Sequence, residues 1–367
     1  MTDSSNDIPV KPVTDSGGTS LQELTKRIAT ASQQQSSWTS ADWPTQQISL
    51  IAEAGVYRWF VDQQSGGFQW SASDIAKGYI ALGSACLTST FIVTQRVAAM
   101  KRLASSDNAD LKQRVLPGML DGSAPGTVGI SHLTTSRRHT KKPVMRVTRE
   151  GDRWRVDGFA PWVTGAIHAK WLLMGGVLED GKEILFLLPT DAAGVKIEKG
   201  FDLIALSASH TGVVKCDSVI LPDANVVVSP RESVLATPSG TGAGGVQTSA
   251  LALGLVRSAI DFIRQESVAR PELAETADSL DQQFELLFEL TLKVADGAFE
   301  SAGQLRADAN SLATRSTQAA MIAAKGAGFV EGHPVGRWCR EALFFLVWSC
   351  PQQVAEAGLC ELVTRAE

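Results

Sequence analysis

The residues of this chain whose type and spacing could do chemistry are few. Gly240-Thr241-Gly242-Ala243-Gly244-Gly245 satisfies GxGxxG, the spacing that lets backbone close on a phosphate. A dinucleotide site also needs a strand before the glycines, a helix after them and an acidic residue ending the next strand. Here a Pro/Ser-rich stretch precedes them and Glu266 falls inside a helical pattern, so a flexible linker is the stronger reading. Arg137, Arg138, Lys141 and Lys142 form a basic run that suits solvent, or else an anionic ligand such as a nucleotide phosphate. Five histidines (His132, His139, His168, His210, His333) are scattered, none at metal-ligand spacing from a carboxylate or cysteine, and no metal site is expected. GxxxxGK[ST], GxSxG and HExxH do not occur, so P-loop, α/β-hydrolase and zincin chemistry have no support.

A more specific stretch is GDRWRVDGFAPWVTGA, Gly151 to Ala166, in which an alternating strand and a turn lead into Pro161-Trp162-Val163-Thr164-Gly165. Taken alone it reads as a core tryptophan followed by a turn threonine. Its meaning depends on the elements around it.

From about Leu21 to Leu120 apolar residues recur at helical spacing, as in Ile48, Ile51, Ala52, Val56 and Trp59, and four or five helices are expected. Ser105-Ser106-Asp107-Asn108 offers a cap for one of them, running through Leu111 to Leu116. Near Gly122 the texture changes to short runs rich in Val, Ile, Leu and Trp. Strands are expected at Val144–Thr148, Arg153–Val156, Lys170–Val177, Glu183–Leu188 and Gly212–Ile220, separated by turn sequences such as Glu150-Gly151-Asp152. Beyond Gly245 helical periodicity returns, and Leu280, Phe284, Leu287, Thr291, Val294 and Ala298 trace a 3.6-residue stripe of the kind buried in bundles. The fold class is therefore α+β. A disordered leader (1–20) precedes an N-terminal helical domain (21–124); a middle antiparallel β-barrel or sandwich (125–228) follows, then a linker (229–245) and a C-terminal helical bundle (246–367). The 367 residues exceed two domains' worth at roughly 150 residues each.

With that order in place, the chain resembles the acyl-CoA dehydrogenase superfamily. Pro161-Trp162-Val163-Thr164-Gly165 is similar to the family's W-I-T-N/G-A, and Gly200 to Val227 to its run G-x-R-a-S-x-T-g-x-x-x-f-x-d-V-x-V-P. Asn108–Gly122, Gly254–Arg270 and Gly328–Phe345 resemble further segments in the same order, so the likeness spans nearly the whole chain after the leader. It implies an FAD cofactor, with Trp162 against the flavin ring and Thr164 bonded to the ring's edge. It also implies α-proton removal from an acyl thioester by a buried glutamate while the β-hydrogen leaves as hydride to the flavin.

Several positions depart from the family pattern. Trp348-Ser349-Cys350-Pro351 stands where most members carry Y-E-G-T, so Ser349 occupies the position of the base. Some members take that glutamate from the first C-terminal helix, but its counterpart here falls in Gly242 to Gly245. Glu341 is a weak substitute, with Glu331 and Glu356 behind it, and Glu341 is better read as the partner of Arg337 or Arg340. The T-E-P-x-x-G-S-D loop becomes Ser131 to Arg138 without its acidic pair. Of the phosphate contacts, Arg270 and Gly326 remain as candidates, with Lys325 beside the glycine.

Three readings follow. The first is an FAD-dependent oxidoreductase performing α,β-dehydrogenation of an acyl-CoA thioester. Next stands a flavin-dependent monooxygenase or oxidase on the same scaffold, which needs no carboxylate at the usual position. The third is a degenerate paralogue that binds acyl-CoA or flavin without turnover. A net charge of −5 argues against nucleic acid as a partner, and no uninterrupted apolar run approaches a membrane span of ~18 residues. Five scattered cysteines without CxxC pairs suit a reducing cytoplasm. The resemblance further implies a homodimer or homotetramer. Substrate and electron acceptor leave no trace in the sequence.

Overall fold

The computed structural model describes residues 9–35, 37–134, 143–235, 246–298, 301–348 and 352–363. The first part contains α1 (Thr19–Gln34), α2 (Thr45–Glu53), α3 (Ala72–Ala85), α4 (Leu87–Ala104) and α5 (Ala109–Leu120). Strands β1 (Gly126–Gly129), β2 (Met145–Glu150), β3 (Arg153–Val163), β4 (Trp171–Val177), β5 (Glu183–Pro189), β6 (Val195–Ile197), β7 (Gly212–Pro222) and β8 (Val226–Arg231) follow, with the one-turn α6 (Ser131–Thr134) after β1. The last part is helical: α7 (Val246–Ser267), α8 (Ala274–Ala295), α9 (Ala302–Ala324), α10 (Pro334–Phe344) and α11 (Gln352–Val363). This is the α+β class expected of the sequence, with a sheet domain set between two helical regions.

Local chemistry accounts for the element ends. Asn108 accepts from the Leu111 amide at 3.0 Å and so caps α5, while its Nδ2 donates to the carbonyls of Ala224 and Val226. One side chain thereby starts a helix and ties it to the sheet. Ser71 caps α3 by accepting from Asp74, and His333 caps α10, which opens on Pro334. In α8 the apolar stripe buries Leu280, Phe284, Thr291 and Val294, but the helix ends at Ala295 and Gly297 turns at φ +123°, so Ala298 lies beyond it.

The sheet runs β6-β7-β3-β2-β4-β5-β8 and is mostly antiparallel. Two pairings are parallel: β1 and β2 share one edge of β4, β1 along Trp171–Met174 and β2 at Val177. β4 and β5 bury both faces. Leu172, Met174, Ile184, Phe186 and Leu188 join the sheet's own core, and Leu173, Leu185 and Leu187 face the helical core. That double burial explains why these two strands read as apolar runs rather than as alternation.

The helical core closes backbone to backbone where α3 crosses α7. A Cβ on Gly254 would lie 2.8 Å from both the Gly83 Cα and the Ile80 carbonyl oxygen. α7 is long and apolar enough to cross a membrane, yet 72% of its apolar window is buried inside the protein against neighbouring helices.

The expectation of a disordered leader over 1–20 needs correcting for its described part. Val13 is fully buried, its amide donates to Ala54, and the indole N–H groups of Trp59 and Trp70 donate to the carbonyls of Val13 and Thr14. Ser16 bonds Asp74, the residue Ser71 also holds, and α1 already begins at Thr19. Polar composition hid one apolar anchor and two indole donors that fix this segment's backbone.

Candidate active site

β3 brings the tryptophan and threonine to the flank of the sheet. Its register against β7 shifts between Val156 and Gly158 and again between Ala160 and Val163. Past these irregularities Val163 is buried, while Trp162 is 49% exposed and tilted against Phe201 at 5.0 Å. Thr164 is buried. Its Oγ1 lies 2.8 Å from Thr211 Oγ1, which lies 2.8 Å from Ser209 Oγ, and its carbonyl accepts from Thr127 at 2.7 Å. Three hydroxyls thus form a chain ending at Thr164. Gly165 follows at φ +64°, where a Cβ would meet the Trp43 ring at 2.9 Å, so the close approach of that indole requires glycine.

Around this turn the structure assembles residues that sequence reasoning passed over. His168 Nε2 and His210 Nδ1 are 2.9 Å apart, and Trp43 stacks on His168 with ring centroids 3.7 Å apart. Arg96 reaches across from α4, its guanidinium 6.0 Å from the Trp43 ring and bonded to the Tyr57 hydroxyl at 2.9 Å. Burial, with help from His210 and Arg96, pushes His168 down to about 4. The imidazole is neutral at pH 7. Burial likewise lowers His210, against the pull of Asp42, whose carboxyl is held below its usual range first by the Ser37 hydroxyl. No spacing links residues 43, 96, 168 and 210; only the docking of the loop before α2 onto the sheet, where Ser40 also bonds Asp202, brings them together.

Glu341 lies elsewhere, inside the helical region. Its side chain is 2% exposed, with Arg337 Nε at 3.6 Å and Thr88 Oγ1 at 3.4 Å. Burial pushes its carboxyl up, partly offset by Arg337. The Arg337 guanidinium sits 4.4 Å from the centre of the Trp38 ring. This is the ion pair the sequence suggested for Glu341, and it joins α10 to the start of α4. Glu331 and Glu356 are exposed. Beyond α10, Arg306 donates to the Trp348 carbonyl at 2.8 Å and Asn310 to the Phe345 carbonyl at 3.0 Å, fixing the turn that leads towards Ser349. Ser349 lies outside the described residues, as do Gly240–Gly245 and the basic run Arg137–Lys142.

Arg270 and Gly326 are brought to one neighbourhood. Arg270 Nη2 bonds both Glu266 and the Ala323 carbonyl at the end of α9, just before Lys325 and Gly326. No atom outside its immediate surroundings comes within 4 Å of where a Gly326 Cβ would stand. The four sequence candidates therefore fall into two pairs, Trp162 with Thr164 on the sheet and Arg270 with Gly326 at the helix ends.

No family model matches the chain. A curated relative, a probable acyl-CoA dehydrogenase of Bacillus subtilis (strain 168), is 22% identical over 325 residues, covering 83% of this chain and 85% of that protein. Among solved structures, the butyryl-CoA dehydrogenase of Megasphaera elsdenii superposes with a TM-score of 0.78 at 16% identity, over 94% of this chain and 98% of that one. A glutaryl-CoA dehydrogenase of Mycobacterium smegmatis in complex with FADH2 gives 0.76 at 16%, over 96% of each chain. The dibenzothiophene monooxygenase of Paenibacillus sp. A11-2 gives 0.74 at 16%, over 95% and 97%. Sequence relatives and shared architecture agree: the chain has the fold of the acyl-CoA dehydrogenases and is similar in sequence to curated acyl-CoA dehydrogenases at about one residue in five.

Proposed function

We propose that this chain is an FAD-dependent oxidoreductase that dehydrogenates an acyl-CoA thioester between its α and β carbons. The observation that carries this reading is the flank of the sheet at Trp162 and Thr164. Trp162 offers a half-exposed aromatic wall of the size and flatness a flavin ring needs. Thr164 Oγ1 can accept from Thr211 and still donate its own O–H to an acceptor at the ring's edge, because a hydroxyl has one donor and two lone pairs. Gly326, open where a side chain would stand, lets backbone approach a phosphate, with Lys325 adjacent. Arg270, held by Glu266 and Ala323, is oriented beside it. These residues fit FAD. When bound, the flavin supplies the hydride acceptor.

Exposed Ile322, Phe329 and Val330 near Gly326 support a second copy of the chain packing there as a homodimer or homotetramer. The free thiols of Cys86, Cys216 and Cys339 suit a reducing cytoplasm.

A second reading is favoured by Glu341. Among the described residues it is the only buried carboxylate, and Arg337 and Thr88 commit it to helix packing. With serine at the usual base position, a flavin monooxygenase or oxidase, which needs no α-proton acceptor there, is the alternative. The visible spectrum of the purified protein, before and after anaerobic addition of acyl-CoA thioesters, decides. A flavin band that bleaches supports the dehydrogenase. A band indifferent to every thioester favours the oxygenase, and failure to bind any flavin removes both.

A further inference from the structure

The turn that carries Thr164 is locked onto a second turn, and a pair of histidines joins the two. The Gly165 amide donates to the His210 carbonyl at 3.2 Å, Thr164 Oγ1 lies 2.8 Å from Thr211 Oγ1, and His168 Nε2 lies 2.9 Å from His210 Nδ1. Each turn also closes on itself, the His168 amide donating to the Gly165 carbonyl and the His210 amide to that of Ser207. Trp43 covers both imidazoles, stacked on His168 and tilted against His210 at 5.3 Å.

The second turn has an unusual backbone. Leu206 at φ +62° and His210 at φ +49° bracket Ser207–Ser209, both in the left-handed region where a residue other than glycine is held by its surroundings. Leu206 is anchored by burial in the helical core. His210 is only half-buried, and its ring meets Trp43 and His168 instead. The residues on either side of it, Ser209 and Thr211, supply the two hydroxyls that lead to Thr164. Whatever fixes the His210 backbone therefore fixes the hydroxyl chain.

We propose that His168 and His210 are positioning residues for the flavin: their hydrogen bond locks residues 206–211 onto residues 164–168 and so aims the Thr164 hydroxyl at the ring's edge. This rests on the flavin site proposed above. A chain of hydroxyls has a direction, because each donates one hydrogen. With Ser209 donating to Thr211 and Thr211 to Thr164, the Thr164 O–H is left for the ring. A loosened second turn lets Thr164 donate back to Thr211, and the ring loses its partner. Burial lowers both histidines, so at pH 7 one neutral imidazole donates and the other accepts.

The test is reconstitution of the full chain with FAD, reading the dissociation constant and the position of the flavin band by visible absorbance. His168→Phe keeps a ring against Trp43 without the hydrogen bond; His168→Gln keeps an N–H near the place of Nε2. His168→Phe should weaken FAD about fivefold, the scale of one neutral hydrogen bond, and shift the band as Thr164→Val does. His168→Gln should restore binding to within about twofold of the parent. In a Thr164→Val background His168→Phe should add nothing, since it acts through that hydroxyl. Should His168→Phe fail to fold by circular dichroism, His210→Gly, suited to the left-handed backbone, removes the same bond and replaces it in each comparison. The proposal is overturned if the variant lacking the bond holds FAD as the parent does, if its loss adds in full to that of Thr164→Val, or if His168→Gln binds FAD no better than His168→Phe. A parent that binds no FAD, or one indifferent to both Thr164→Val and Trp162→Ala, overturns the flavin site itself and this inference with it; a parent that needs Thr164 but not His168 overturns the inference alone.

Discussion

Thr164 is the residue on which the cofactor assignment turns, and its neighbours make that assignment testable. Thr164→Val keeps the shape but cuts the hydroxyl chain from Ser209, and Trp162→Ala removes a ring that is half in solvent, so neither should cost much stability. Both are expected to lower the flavin retained after gel filtration, read by absorbance; undiminished retention in the double variant would refute the site. His168 supports a second prediction. Its folded pKa of about 4 lies below the ordinary value of about 6.5, so the unfolded chain takes up a proton that the folded chain refuses. Stability contributed by His168 is complete above about pH 6.5 and is lost as the pH falls towards 4. Urea midpoints measured across that window should fall less steeply for His168→Phe, which keeps a ring against Trp43. A third concerns Glu341: replacing it with alanine strands the Arg337 cation at the mouth of a buried site and should cost about 3 kcal/mol by urea denaturation. The Glu341 pairing was legible in the sequence because i,i+4 spacing suffices to suggest it. The Trp43–His168–His210 cluster was not, because its members come from separate elements and touch only after the loop before α2 has docked.

At the scale of elements, strands and helices followed from the period of their apolar residues, and the expected strand ranges differ from β2 to β5 and β7 by a few residues at most, except that β3 runs on to Val163. What the period could not report was how closely two elements approach. Gly83 and Gly254 mark the place where α3 and α7 touch backbone to backbone. Gly254→Val places side-chain atoms against a Cα and a carbonyl that cannot rotate away, and about 2–3 kcal/mol of destabilisation is expected in chemical denaturation. Gly303, also helical but with open space around its would-be Cβ, gives the contrast: Gly303→Ala should stabilise by up to about 1 kcal/mol. Equal losses at both glycines would show that helix propensity rather than contact sets the cost.

The whole molecule is held together by segments that cross between its parts. Residues 9–16 lie against the first helical region, and the loop before α2 reaches the sheet through Trp43 and Ser40. Removing residues 1–16 takes away the buried Val13 side chain and the acceptors for two indoles, and a loss of about 3 kcal/mol is expected in thermal or urea unfolding. An unchanged midpoint would restore the leader to the role its composition suggested. The burial of α7 on nearly every side has a consequence of another kind. Its amides can meet solvent only when α3, α8 and α9 separate from it, so deuterium should enter α7 at the rate of global opening. The amides of α11, most of whose described residues are exposed, should exchange through local fraying. The order of labelling along the chain would then reveal whether the two helical regions open as one cooperative unit around α7, or whether the sheet domain comes away first and leaves that unit intact.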